Sequence, residues 1–235
     1  MELPSTVHGR NLLASDSFFE DEFLGAATAS LAGWPWAVAV NNGQIANVAG
    51  DAGHPGQKQF STLASNVAAP IISLYTSGMV FGGDEYECGW LIQSPASLSD
   101  GTDTYTIFAG FGDASTGTIA ADAAYITYTH SVNSGRWTGF TSSNSVVTQM
   151  TLLNAFPVVV NTWYLLQVKV NKLANRVDFF VNGTYIGYCA ANIPIGVARA
   201  LTTMLQIVKS GAGVAPRTMQ ADYYYHKIGF KTARY

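Results

Sequence analysis

The chain has 235 residues, 48% apolar and only 11% charged, with a formal net charge of -3. It has no basic run to neutralise phosphates, which argues against a nucleic-acid partner, and no apolar stretch long enough for membrane insertion. Average soluble domains carry roughly 25% charged residues, so this surface is either a neutral β-rich one or one covered by neighbours in an assembly.

Residues 1–15, "MELPSTVHGRNLLAS", lack any apolar alternation and contain Pro4 and Gly9. They predict an extended N-terminal arm ahead of a single domain over 16–235. Residues 1–23 also lack a charged segment followed by an apolar one, so they do not read as a secretory signal. "EYECGWLIQ" places Tyr86, Cys88, Trp90 and Ile92 on one strand face. "DTYTIFAGFGD" and "AAYITYTH" are further strands around the turn-rich "GDASTGTIAAD", and "RWTGFT" and "SVVTQMTLL" follow. "NTWYLLQVKV" alternates Tyr164, Leu166, Val168 and Val170 against Gln167, Lys169 and Asn171, which predicts a half-buried strand. "NKLAN" turns the chain into "RVDFFV". Asn182-Gly183 is then a strong signal for a two-residue hairpin turn, leading into "TYIGYCA". "IGVARALTTML", residues 195–205, reads equally as helix or strand. "TTMLQIVKSG" and "ADYYYHKIGF" close a chain whose many short strands and frequent turns predict an all-β sandwich.

Several of these segments carry a family resemblance. "WYLLQVKVNKLANRVDFFVNGTYIG" resembles the late hairpin of concanavalin A-like (laminin G-like) domains. "DSFFEDEFLG", "GHPGQKQFST", "DTYTIFAGFGD", "LQIVKSGAG" and "ADYYYHKIGF", in that order, resemble the version found in bacteriophage structural proteins. The resemblance spans residues 16–230. It implies a concanavalin A-like jelly-roll β-sandwich of two antiparallel sheets. It leaves function open, because lectins, glucanases and purely structural domains share that fold.

The candidate chemistry is sparse. Glu85 and Glu87 share one face of a strand about 6.5–7 Å apart, a separation that could serve glycoside hydrolysis. Glucanases of this fold carry Glu-x-Asp-x-Glu or a bulged variant on one strand. Here the alternate positions are Gly83, Glu85, Glu87 and Gly89, so the set is incomplete. Asp100, Asp103 and Asp113 supply too few oxygens for calcium, and His8, His54, His130 and His226 have no zinc-ligand spacing. No metal and no cofactor is expected. Cys88 and Cys189 read first as buried free thiols, with a disulfide between them left open by the sequence. Five tryptophans and 12 tyrosines could stack on sugars. Trp137, in the turn-flanked "NSGRWTGF", reads as exposed, whereas Trp90 and Trp163 read as core. Tyr223 and Tyr225 alternate against Tyr224 and His226 on the last strand, and one of the two faces is expected to be open.

Together with the resemblance, these features lead to an expectation of a non-catalytic bacteriophage virion protein. Capsid decoration or cement is the first role, assembled in the host cytoplasm without a signal peptide. Its partners would be other virion proteins and further copies of itself. A glycan-binding receptor module of a tail fibre is the alternative, with Trp137, Tyr223 and Tyr225 meeting a host-surface glycan. A glycoside hydrolase ranks third. Leu3, Val7, Leu12 and Leu13 mark residues 1–15 as an assembly arm able to fill pockets on a neighbour. Deleting residues 2–15 is expected to leave the thermal transition of the sandwich nearly unchanged and to abolish incorporation into particles. Normal incorporation would remove the arm's anchoring role.

Overall fold

The computed structural model describes residues 16–23, 36–74, 78–113, 120–129 and 135–230. The expected arm, with Leu3, Val7, Leu12 and Leu13, lies outside the described residues. The described residues form two antiparallel sheets facing each other. Their strands are β1 (Asp16–Asp21), β2 (Trp36–Ala39), β3 (Gln44–Asp51), β4 (His54–Ser61), β5 (Ile71–Leu74), β6 (Glu85–Gln93), β7 (Thr104–Gly112) and β8 (Ala123–Thr129). They continue with β9 (Thr138–Ser143), β10 (Val146–Gln149), β11 (Thr151–Leu152), β12 (Trp163–Val170), β13 (Val177–Val181), β14 (Thr184–Cys189), β15 (Thr202–Ser210) and β16 (Thr218–Gly229).

Sheet I runs β11-β14-β13-β12-β6-β16-β4-β3, and β1 also pairs with β16. Sheet II runs β10-β9-β8-β7-β15-β5-β2. This is the concanavalin A-like jelly-roll sandwich that the resemblance implied. The alternation in "WYLLQVKV" holds: Tyr164, Leu166, Val168 and Val170 are buried, and the residues between them are half-exposed. Val177, Phe179 and Val181 of β13 and Tyr86, Cys88, Trp90 and Ile92 of β6 face the same core. Burying each such aliphatic or aromatic side chain contributes about 1.5–3 kcal/mol.

Aromatic residues fill the middle of the sandwich. Trp90 and Tyr224 lie 4.3 Å apart between ring centroids, and Trp36 from sheet II lies 4.9 Å from Tyr224. The Tyr224 hydroxyl donates to Thr203 Oγ1 at 2.6 Å, which ties β16 to β15 across the core. The Trp36 indole donates to Asp21 Oδ2 at 2.7 Å.

Asn182 and Gly183 both have positive φ, 51° and 73°, so the hairpin turn forms as expected. Cys88 and Cys189 are free and buried. Residues 195–205 form a short 3-10 turn at Val197–Arg199 and the start of β15, not a helix. The pairing of β15 with β7 over nine positions outweighs any local helical tendency. "SVVTQMTLL" is two strands. It pairs with β9 in sheet II, breaks at Met150, and pairs with β14 in sheet I.

β16 carries an irregularity of its own. Its register with β6 shifts between Ala221 and Tyr223, leaving Asp222 as an extra residue. Met219 and Ala221 face the core before this bulge, and Tyr224 does so after it. The inward-facing set thus changes from odd to even residue numbers, and Tyr223, Tyr225 and Lys227 turn outward.

His226 sits on the inward side, its Nδ1 3.0 Å from the Tyr224 hydroxyl, with Phe19 stacked on its ring at 5.3 Å. Burial lowers its pKa to about 4. An unfolded chain takes up that proton near pH 6.5. The contribution to stability is therefore complete above about pH 6.5 and is lost as pH falls towards about 4. Urea denaturation should show this decline in the native chain and a flatter profile in His226→Gln. Identical pH profiles would show that His226 is not the titrating group.

Candidate functional site

The outer face of sheet I gathers most of the polar residues singled out above. Alternation in β6 puts Glu85, Glu87, Gly89 and Leu91 on this face, opposite its core residues. Antiparallel register then lines up one residue from each strand. The first row is Phe18, Lys227, Glu87, Lys169, Asp178 and Tyr188, from β1 across to β14. The second is Glu20, Tyr225, Gly89, Gln167, Phe180 and Tyr185. Tyr223, Leu91 and Leu165 begin the third.

The charges in the first row alternate and pair. Lys169 Nζ lies 3.3 Å from Glu85 Oε1 and 3.9 Å from Glu87 Oε2. Arg176 Nε donates to Asp178 Oδ1 at 2.8 Å, and its guanidinium lies 4.5 Å from the centre of the Tyr188 ring. Lys227 pairs with Asp16 at 3.3 Å. Tyr225 crosses the empty side of Gly89: a Cβ there would stand 2.2 Å from the ring. Its hydroxyl donates to Glu87 Oε1 at 2.7 Å and accepts from Gln167 Nε2 at 2.7 Å. The Tyr223 hydroxyl donates to Glu20 Oε2 at 3.0 Å, and burial, with Glu20 adding to it, pushes its pKa up to about 12. The Tyr225 hydroxyl is likewise shifted upward, mainly by burial. Both therefore stay neutral donors at physiological pH. Phe18, 57% exposed, stacks on Tyr225 at 5.9 Å.

This arrangement bears on catalysis. Hydrolysis of a glycosidic bond needs one carboxyl to act as acid and another as base or nucleophile around an open cleft. Here a single lysine contacts both glutamates, and a tyrosine hydroxyl occupies Glu87. Among the described residues, the only charged residue in the seven strands of sheet II is Lys209, which is buried and bonded to the Ala215 carbonyl and to Asp103.

Other candidates resolve differently. Trp137 is fully buried between Tyr128 and Tyr164, so it cannot stack on a sugar from outside. Its place just before β9 points it inward, where the turn-flanked segment suggested exposure. Trp163, read as core, lies on the outer face, stacked on His54 at 3.9 Å. Asp100 and Asp103 pair with Arg217, and Lys209 donates to Asp103, holding its carboxyl below the usual range. Those two cations occupy the oxygens a calcium ion would need. The described residues include no cluster suited to a metal. A cavity of about 200 Å³ opens between Gln93–Ser97, Asn161, Pro216–Thr218 and Gln220, lined by Arg217 and otherwise mainly by neutral amides, hydroxyls and prolines. Sequence reasoning missed Phe18, Gln167 and Lys169 as members of one surface, because only cross-strand register brings them together.

A family model described as "SO2946-like, C-terminal domain" matches residues 84–222, more than half of the chain. The chain belongs to the SO2946-like family. Among solved structures, the protein of unknown function SO2946 from Shewanella oneidensis MR-1 aligns with TM-score 0.69 and 14% identity, over 94% of this chain and 89% of that one. An endo-1,3-beta-glucanase from Streptomyces sioyaensis aligns at 0.60 and 12%, over 92% and 97%. The metal-free carbohydrate recognition domain of Emp46p aligns at 0.57 and 9%, over 88% and 94%. Among curated proteins, none matches the chain in sequence. These likenesses show that the SO2946-like chain shares the fold of concanavalin A-like lectins and glucanases.

The contact between Tyr225 and Gly89 is open to a direct test. Gly89→Ala should destabilise the protein by about 1–3 kcal/mol, because the ring must leave its place. In a Tyr225→Ala background the same change should cost much less. Equal costs in the two backgrounds, measured by urea denaturation, would show that the ring does not depend on the bare glycine.

Proposed function

We propose that this SO2946-like domain acts by binding rather than catalysis, as a structural protein of a bacteriophage virion that decorates or cements the capsid. The observation that carries the non-catalytic reading is the engagement of Glu85 and Glu87. Both lie against Lys169, and Glu87 also accepts the Tyr225 hydroxyl. The ordered sequence resemblance to phage structural proteins supports the virion role. So does a surface low in charge, with aliphatic side chains such as Val146, Val147, Leu153 and Val197 exposed.

A second reading, a glycan-binding receptor module of a tail fibre, is favoured by one feature. Phe18, Tyr223 and Tyr225 form a ring-bearing strip flanked by Glu20 and Gln167, a suitable combination for sugar hydroxyls.

Electron microscopy of purified particles should place the chain on the capsid. A position on the tail, with saturable binding on a glycan array, would support the second reading, and absence from particles would overturn both. Incubation with β-glucans should release no sugar from the native protein. Release that disappears in Glu85→Gln and Glu87→Gln would establish a hydrolase instead.

A further inference from the structure

The charged row on the outer face of sheet I has a property that no single residue carries. Read across β16, β6, β12 and β13, its charges are Lys227 positive, Glu87 negative, Lys169 positive and Asp178 negative. Reversed, the order becomes negative, positive, negative, positive. Such a row is complementary to its own reversed copy. We propose that this face is the contact surface between two copies of the chain, related by a two-fold axis that runs parallel to the strands between β6 and β12.

A two-fold contact presents the same patch from both sides, so each residue meets the one at the mirrored position along the row. With the axis between β6 and β12, each copy's β6 faces the other's β12, and each β16 faces the other's β13. In the first row Glu87 meets Lys169 of the second copy, and Lys227 meets Asp178. In the second row the Tyr225 ring, which lies across Gly89 of its own copy, faces the space between Gln167 and Phe180 of the second copy. In the third row Leu91 meets Leu165. An axis running across the strands along this charged row would set each of its residues on itself and place lysine over lysine. The charge order thus selects one geometry of the two.

Within each copy Arg176 already bonds Asp178 closely, at 2.8 Å, whereas Lys169 and Glu87 approach only to 3.9 Å. The central Glu87–Lys169 contacts therefore decide register more than the outer pair does. Charged contacts of this kind give orientation more than affinity; the apolar and aromatic contacts supply the attraction. Six strands spaced about 4.8 Å apart, over three rows, cover on the order of 500 Å² per copy. The total, about 1,000 Å², lies at the small end of specific interfaces. A dimer in the micromolar range is expected, strengthened by low salt. The inference does not depend on the virion role, since a self-complementary face would serve any assembly of this chain.

Charge reversal tests it with the full chain in analytical ultracentrifugation. Glu87→Lys makes both central residues of the row positive, and Lys169→Glu makes both negative. Each variant alone should weaken self-association at least about tenfold. Mixed in equal amounts, the two should associate with each other, because a positive centre then meets a negative one. A change confined to stability within one copy gives no such rescue on mixing, and thermal melting of each variant reads that effect separately. Leu91→Arg should also abolish association without altering any ion pair. A native chain that stays monomeric at about 1 mM, single variants that dimerise like the native chain, or a mixture without heterodimers would each overturn the proposal.

Discussion

One extra residue in β16 sets the character of both faces of sheet I. Side chains alternate along a strand, so a shift of one position exchanges its inner and outer sets. Asp222 makes that exchange midway along a 12-residue strand. On one side of it Met219 and Ala221 fill the core. On the other side Tyr224 takes over, and Tyr223, Tyr225 and Lys227 go to the surface. Without the bulge, Tyr224 would face water, and its bond to Thr203 across the core would be lost. Asp222 is 5% exposed and held by His54 Nδ1 at 2.9 Å, while His54 stacks on Trp163. A contact network around the turn between β3 and β4 thus pins the irregularity, as expected of a bulge that serves a purpose.

The outward tyrosines then find a surface prepared for them. Gly89 has no side chain, so Tyr225 can lie across β6 and reach Glu87 on that strand and Gln167 on β12 beyond it. β1 covers the half of β16 that follows the bulge, and β4 covers the half before it. Phe18 and Glu20 are thereby placed beside the two tyrosines. The acid pair that looked like a remnant of glycosidase chemistry becomes part of a cross-strand ladder. Each exposed ion pair in such a ladder contributes little by itself. Its larger effect is on register, since a slipped strand would set like charges side by side.

The legibility of this molecule in its sequence follows the reach of each signal. Period-two alternation is local, so β6, β12 and β13 could be read with the correct faces, and Asn182-Gly183 marked its turn. Trp137 and Trp163 were read the wrong way round because each lies at the start of a strand, where alternation has too few residues to fix a face. Tyr223 and Tyr225 were recognised as alternating against Tyr224 and His226. Their outward direction depends on a bulge, and nothing in "ADYYYHKIGF" marks which residue is the extra one. The break of "SVVTQMTLL" into two sheets was invisible for a similar reason: it is set by its partners β9 and β14, which belong to different sheets. Lys169 and Glu87, 82 positions apart in the chain, become neighbours only through pairing.

The two outer faces also differ in a way that constrains any assembly. Sheet I presents alternating charge, hydroxyls and partly exposed rings. The strands of sheet II present no charge at all outward, and its outer side holds a buried cluster of Ile71, Phe108, Ala123, Tyr125 and Met204. Gln206 lies in the same row as Ile71 and Phe108, fully buried, with neither its amide oxygen nor its nitrogen bonded to a partner among the described residues. A buried amide in that state costs about 1–3 kcal/mol. The fold accommodates that cost on sheet II while every charged residue in the central row of sheet I is paired. A face with all its charges matched can meet another surface without stranding an ion, provided the incoming surface offers charge in the same alternating order. That condition excludes most flat protein surfaces and is met by a reversed copy of the face itself.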